Sequence, residues 1–362
     1  MSLKLRKSRV MPVGIDLGTG AVKLAQLREA NGQLELVAAA AARMPQACRD
    51  NPQRKLEFLA DRLPDLMRTE GFKGRQCVVC VPAAESFVQH VRTPKLPEAE
   101  LARTVQWELE GKVPFDLEDA VVRHVVAGET HAEGQPGLEV IVLAVARDIV
   151  EDYLSMARKA RLDIVSMDVE PCAILECFAR LFRRREDSER VTLFLDLGEA
   201  STQVVVAQGA RLVFARNLMV GSGQLDQAAA KVLGLTAEEV HRQRVEAMRS
   251  DAAGAEQLYD AMEDELRAMG QEVTNCLRYY DSVFPSQPVE RAIFLGGQAL
   301  DRSLCQRLAQ RLNLAAQIGD PLTRINTAPA SGPEKGIDRR QPQPAWAVAV
   351  GLSLGARLSR AA

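Results

Sequence analysis

Two carboxylates about half the chain apart, Asp16 and Asp196, sit in the same local grammar. The first lies in VGIDLGTGAVKLAQL and the second in LFLDLGEASTQVVVA. In each, an apolar run ends at the acid. A glycine with small or hydroxyl residues follows, and a second apolar run leaves. That is strand, tight turn, strand, with a carboxylate at the turn. Two such turns facing each other would surround one cleft with two carboxylates and two sets of free backbone N–H groups. Mg²⁺ takes carboxylates or their bound waters, and phosphate oxygens take backbone N–H donors. A lone Asp-Leu-Gly means little. The repeated context is what points to a phosphate-and-magnesium site between two related halves.

Neighbouring residues extend this reading. Gly18, Thr19 and Gly20 let the backbone approach an anion closely. Lys23 on the next strand fits both a phosphate ligand and an ordinary exposed strand lysine. Gly198, Ser201 and Thr202 would repeat the cradle. Gly221-Ser222-Gly223 opens a helix whose N–H groups and dipole suit a phosphate, and it is equally ordinary capping chemistry. Gly296-Gly297-Gln298 stands at a strand end, where a flat ring has bare backbone to lie against.

Composition excludes several classes. The 362 residues allow two or three domains. Lys plus Arg number 46 and Asp plus Glu 48, a net charge of −2 that offers no general attraction to nucleic acid. No stretch reaches the ~20 apolar residues that span a bilayer. The basic start, MSLKLRKSRV, has no apolar segment behind it and so is not a secretory signal. Its Lys4, Arg6, Lys7 and Arg9 fit a solvated tail or a contact with anionic lipid. The seven cysteines, odd in number and scattered, read as reduced, mostly buried thiols and imply a cytoplasmic location. Cys77 and Cys80 lie three apart on an apolar strand, facing opposite sides, and so cannot easily share a metal. The four histidines have no zinc spacing.

The elements that must position these residues alternate between hairpins and helices. Strands are expected within residues 12–42, with a two-residue turn at Asn31-Gly32. A helix follows over 53–69, and strands over 76–81 and 86–91. ELARTVQWELEGK is a helix with Leu101, Val105 and Leu109 on one stripe. Strands near 121–127 and 138–146 flank the turn ETHAEGQPG. A helix over 147–161 carries Ile149, Val150, Tyr153, Leu154 and Ala157 on one face. A strand at 163–169 leads to a helix over 171–182. The second half repeats the first: strands over 191–197, 201–208 and 211–219, then a helix from Gln224. One long helix is expected over 255–284, a strand over 292–297 and a helix beyond it. Residues 319–344 look least ordered, and AWAVAVGLSLGARL closes the chain as an apolar helix. The class is α/β with two halves of similar start.

The order DLGTGAVK, VEPCAI, DLGEAST, LGGQA and the final apolar helix resembles the phosphate-1, connect-1, phosphate-2, adenosine and connect-2 motifs of the actin-like ATPase superfamily. That superfamily includes actin, the heat-shock-70 chaperones, sugar kinases and FtsA. The resemblance implies two ribonuclease-H-like halves with an inserted FtsA-type 1C subdomain. It divides the chain into 10–85 (1A, first part), 86–166 (1C), 167–190 (return to 1A), 191–344 (2A/2B) and 345–362 (a C-terminal helix returning to 1A). PKLPEAELARTVQWELEGKVPFD and DVEP are similar to the PilM family of type IV pilus assembly proteins. The resemblance implies ATP and Mg²⁺ as ligands. Asp16 and Asp196 would position the metal through water. Gly18, Thr19, Gly20, Lys23, Gly198 and Ser201 would hold phosphates, with Gly221 and Gly223 beside them. Gly296 and Gly297 would back the adenosine. Glu170 stands where hydrolytic relatives keep a water-polarising carboxylate, a place that also suits an ordinary helix N-terminal acid. Glu199 and Ala200 replace glycines common in the second turn. A glutamate there repels phosphates unless it points away, which argues against rapid hydrolysis more than against binding.

Trp107 lies about 200° from Val105 around its helix, off the apolar stripe. It fits a partner anchor or packing against its own domain's strands. Resemblance to PilM favours the anchor, because there the cytosolic N-terminal tail of the membrane protein PilN docks between 1A and 1C. The implied protein is a cytoplasmic scaffold, peripheral to the inner membrane through that partner, with self-association left open. Rival readings are a sugar kinase, an FtsA-like division protein and a GspL-like type II secretion component. The kinase would need a catalytic aspartate base, which the sequence does not display. The FtsA-like protein would need an amphipathic tail beyond ARLSRAA.

Overall fold

The computed structural model describes residues 8–132, 135–182, 184–250, 256–327 and 336–355. The basic Lys4, Arg6 and Lys7 and the end ARLSRAA lie outside them. The first half opens with β1 (Ser8–Val10), β2 (Val13–Leu17), β3 (Ala21–Ala30) and β4 (Gln33–Arg43). The β3–β4 turn has Asn31 at φ 55° and Gly32 at φ 76°. Both are left-handed, as a two-residue hairpin turn requires. A short α1 (Gln46–Arg49) and the long α2 (Pro52–Thr69) lead to β5 (Gln76–Val81). Asn51 caps α2 through its side chain, and Leu59, Leu63 and Leu66 bury one face of it. Each such leucine contributes about 2 kcal/mol of burial.

A separate three-stranded sheet follows. After a 3₁₀ turn at Ala83–Glu85 come β6 (Phe87–Pro94), α3 (Glu98–Leu109), β7 (Ala120–Ala132) and β8 (Gln135–Ala146), paired in the order β6-β8-β7. α3 seats Leu101, Val105 and Leu109 on this sheet with Val91, Val140 and Val142. α4 (Arg147–Lys159), β9 (Asp163–Val169), α5 (Glu170–Ala179) and α6 (Arg185–Glu189) return to the first half.

The second half comprises β10 (Val191–Leu197), β11 (Thr202–Gln208), β12 (Arg211–Leu218), α7 (Ser222–Leu233), α8 (Ala237–Ser250), α9 (Glu256–Ala261), α10 (Glu263–Val283), β13 (Arg291–Leu295), α11 (Arg302–Leu312) and β14 (Ala316–Ile318). β15 (Ile325–Asn326) crosses back to β4, and α12 (Ala347–Gly355) ends the described chain. The two large sheets share one plan. β4-β3-β2 is an antiparallel meander extended by parallel β5 and β9, and β12-β11-β10 is extended in the same way by β13 and β14.

α5 and α12 lie between these sheets. They pack on each other, α12 against β2, β3 and β5, and α5 against β11 and β12. The approach is tight enough that a Cβ on Gly351 would overlap the Ala173 backbone. Across β2, Val13, Ile15 and Leu17 join the α2–α4 core, while Gly14 meets α12. Period-two alternation therefore turns Asp16 toward the second half. The three-stranded sheet also meets the second half. Fully buried Glu139 accepts from Tyr279 Oη at 2.7 Å and lies 2.9 Å from His90 Nδ1, whose other ring nitrogen reaches Ala215.

Several sequence expectations change. The expected turn ETHAEGQPG is mostly strand, because β7 and β8 pair out to Ala132 and Gln135. Pro136 is tolerated there because pairing with β6 begins only at Gly137. The long helix over 255–284 breaks at Met262, which has φ −104° and ψ 6°. On α4, Leu154 faces solvent and Met156 is buried in its place. α1 and α8 were not anticipated. All seven cysteines are free, and Cys77 and Cys80 fall in separate core clusters on opposite faces of β5.

Candidate functional site

The ends of β2 and β10 face each other across a cleft of about 320 Å³. Its walls include Asp16, Gly18, Thr19, Gly20 and Lys23 from the first half and Asp196, Gly198, Glu199, Ala200 and Ser201 from the second. Glu170, at the start of α5, lines it, as do Gly296, Gly297 and Gln298 after β13. The fold thus brings together residues scattered over 280 positions. Within the first turn, Thr19 and Gly20 N–H groups donate to no backbone carbonyl among the described residues. The same holds for Glu199, Ala200 and Ser201 in the second turn, while Gly198 N–H closes it onto Ser201 O at 3.0 Å. Backbone N–H groups left without a backbone partner in a turn are the kind of donor that an anion can use. Gly296, at φ +84°, presses on the Leu197 backbone and the Asp196 carboxylate, so a Cβ there would clash. Gly297 faces open space.

Gly221 and Gly223 are placed differently from the sequence expectation. Gly221 N–H donates to Gln224 Oε1 at 2.9 Å, and Gly223 N–H to Glu199 O at 2.8 Å. Neither glycine lines the cleft. The Gly223 donor braces the second turn from behind and the Gly221 donor closes onto its own helix, so both are committed away from the cleft.

Cross-strand register makes the two halves electrostatically unequal. Asp16 stands opposite Lys23, and Nζ meets Asp16 Oδ2 at 3.0 Å. Asp196 stands opposite Gln203, whose buried amide makes no hydrogen bond. Burial lowers the Lys23 pKa, but Asp16, with smaller contributions from Asp196 and Glu170, raises it above its ordinary value, so the lysine stays charged. For Asp196, burial and then Asp16 push the carboxyl up to about 7 against the pull of Lys23. Glu170 is raised well above its ordinary range by burial, Asp196 and Asp16, although Lys23 and the Ala83 N–H favour its charge. Three acids therefore converge around one cation, and two of them resist ionising. Among the described residues no group of three or more His, Cys, Asp or Glu side chains is arranged to hold a metal directly.

The sequence reading missed part of the wall. His241, Val245 and Met248 of α8 line the same cleft as Gly296 and Gly297. Their i, i+4, i+7 spacing was the available signal. α8 is fixed by fully buried Arg244, which bonds Asp226 Oδ1 at 2.9 Å and Asp301 Oδ2 at 3.1 Å. Tyr259 Oη also donates to Asp301, at 2.7 Å. Trp107 is far from this constellation in chemistry: it is 67% exposed on α3 and absent from the cleft wall.

Two sheets of one plan, two connecting helices and a cleft between duplicated acidic turns define an actin-like ATPase fold. A model of the type IV pilus assembly protein PilM family matches residues 14–357, and the chain belongs to that family. Among solved structures it is similar to the PilM-PilN type IV pilus biogenesis complex, at 25% identity and a TM-score of 0.79, with 96% of this chain and 99% of that one covered. The ethanolamine utilization protein EutJ from Carboxydothermus hydrogenoformans shares the fold, at 15% identity and a TM-score of 0.54, over 96% of this chain and 89% of its own. No curated protein matches.

Proposed function

We propose that this chain is an ATP- and Mg²⁺-binding scaffold of type IV pilus assembly that captures the cytosolic tail of a PilN-like membrane protein. The partner reading is supported by family membership and by the likeness to the PilM-PilN complex. None of the described helices is long and apolar enough to cross a membrane, so in this reading the partner holds the scaffold at the bilayer surface. Trp107, exposed and off the buried stripe of α3, is the proposed anchor for the tail.

The observation that carries the nucleotide reading is the surplus of carboxylate around Asp196. A half-buried acid with no cation opposite it, raised to about 7, suits a site completed by a divalent ion. Asp16 and Asp196 would hold the ion through water, and the N–H groups of both turns would hold phosphates. Lys23 neutralises Asp16 and offers its ammonium to the same oxygens. The bound ion supplies charge neutralisation of the phosphate chain. Gly296-Gly297 and the α8 residues would enclose the nucleoside.

Calorimetric titration with Mg²⁺ and ATP tests this. Binding by the wild type, lost in Asp16→Ala and Asp196→Ala variants that remain folded, is the expected result. Undiminished affinity in both variants would overturn it. Hydrolysis is expected to be slow, because burial, Asp196 and Asp16 raise Glu170 well above its ordinary range and so disfavour the charged form that a base needs. Turnover well above about 1 s⁻¹, the low end for ordinary enzymes, would contradict that.

A further inference from the structure

Glu199 is the residue that the nucleotide reading leaves unexplained, because it puts a carboxylate where a phosphate cradle needs none. Its side chain does not turn away. It lines the cleft, and its Oε2 lies against the backbone of Gly20 in the opposite turn. Its other oxygen is held by Arg49 Nη1, an ion pair formed across 150 residues of sequence. Arg49 belongs to α1 of the first half, and its Nε donates to Met44 O at 3.3 Å. Arg49 is not itself part of the cleft wall. It lines an adjoining cavity of about 660 Å³ and reaches Glu199 from that side. Both side chains are largely buried, at 20% and 26% exposure, so solvent screens the pair less than a surface pair.

We propose that Arg49 is a positioning residue for nucleotide binding, which neutralises and holds Glu199 so that a phosphate chain can lie along the Gly18–Gly20 turn. This rests on the nucleotide reading above. An unpaired Glu199 would repel each phosphate charge through a medium less polarisable than water, and the repulsion would grow with the number of phosphates. A mere clasp between the halves would lack that dependence.

The test is a calorimetric series with ATP, ADP and AMP, each with Mg²⁺, on wild type, Arg49→Ala, Arg49→Lys, Glu199→Ala and the Arg49→Ala/Glu199→Ala double variant, with thermal melts to confirm folding. Arg49→Ala should weaken ATP by roughly tenfold or more, ADP less and AMP least. Arg49→Lys should keep most of the affinity, and the double variant should return to wild-type ATP affinity. Equal losses for all three nucleotides, or a double variant as weak as Arg49→Ala, would overturn the proposal and make the pair a clasp. Wild-type binding that is indifferent to Arg49→Ala would overturn this proposal alone. A wild type that binds none of the three would overturn the nucleotide reading and this proposal with it.

Discussion

Asp16 and Asp196 have the same place in duplicated turns but different opposite neighbours. Lys23 neutralises the first, and Gln203 leaves the second to its burial. That difference has a thermodynamic consequence. A carboxyl near 4 in the unfolded chain and about 7 in the folded one binds an extra proton in the native state between those values. Stability is therefore unpenalised below about pH 4, falls as pH rises from 4 to 7, and stays lowered above 7. Asp196→Asn should melt higher than the wild type at pH 8 without Mg²⁺ or nucleotide, by roughly 2 kcal/mol given its partial access to solvent. The gap should close toward pH 4, and a gap independent of pH would contradict the assignment. At this scale the sequence was most legible where chemistry is local: both acids, the turn glycines and Ser201 were visible because turn and ligand share one short segment. Arg49 was invisible, because no spacing rule pairs a helix arginine with a glutamate 150 residues away. Glu199 was noticed only as a departure from a glycine turn, and what it touches came from the fold.

Among the elements, α3 and α8 mark the limits of periodicity. α3 was readable because Leu101, Val105 and Leu109 repeat cleanly, and the same geometry put Trp107 outside. α8 was not, because its sequence, AEEVHRQRVEAMRS, is mostly polar and its buried anchor is Arg244, held by acids from α7 and from the start of α11. The β7–β8 hairpin was shortened in the sequence reading because Gly137 and Pro136 look like turn residues. Cross-strand pairing overrides that preference where only one neighbour needs a donor. Trp107 carries the prediction at this scale. An exposed aromatic anchor is the type of residue on which binding energy concentrates. Trp107→Ala should weaken binding of a labelled N-terminal PilN-like peptide by about 2 kcal/mol or more, with ATP binding unchanged. Its exposure removes unfolding as an explanation, so equal affinities in a peptide titration would move the docking surface elsewhere.

The whole molecule is two copies of one sheet plan closed on a pair of helices. Each turn presents its cradle only if α5 and α12 hold the sheets at the right separation, which is why Gly351 must lie on Ala173 with no side chain between. The duplication was legible because the sequence repeats its strand-acid-turn grammar. The break at Met262 and the return of β15 to β4 were not, because both are settled by packing between distant segments. The central claim is that one ligand site is built jointly by both halves. Amide hydrogen exchange tests it most directly, read with ATP alone, Mg²⁺ alone and both together. The account predicts that ATP with Mg²⁺ slows exchange in the 18–20 and 198–201 turns together, and that Asp196→Ala abolishes the protection in both. Protection confined to one turn, or surviving in the other after that substitution, would contradict a shared site.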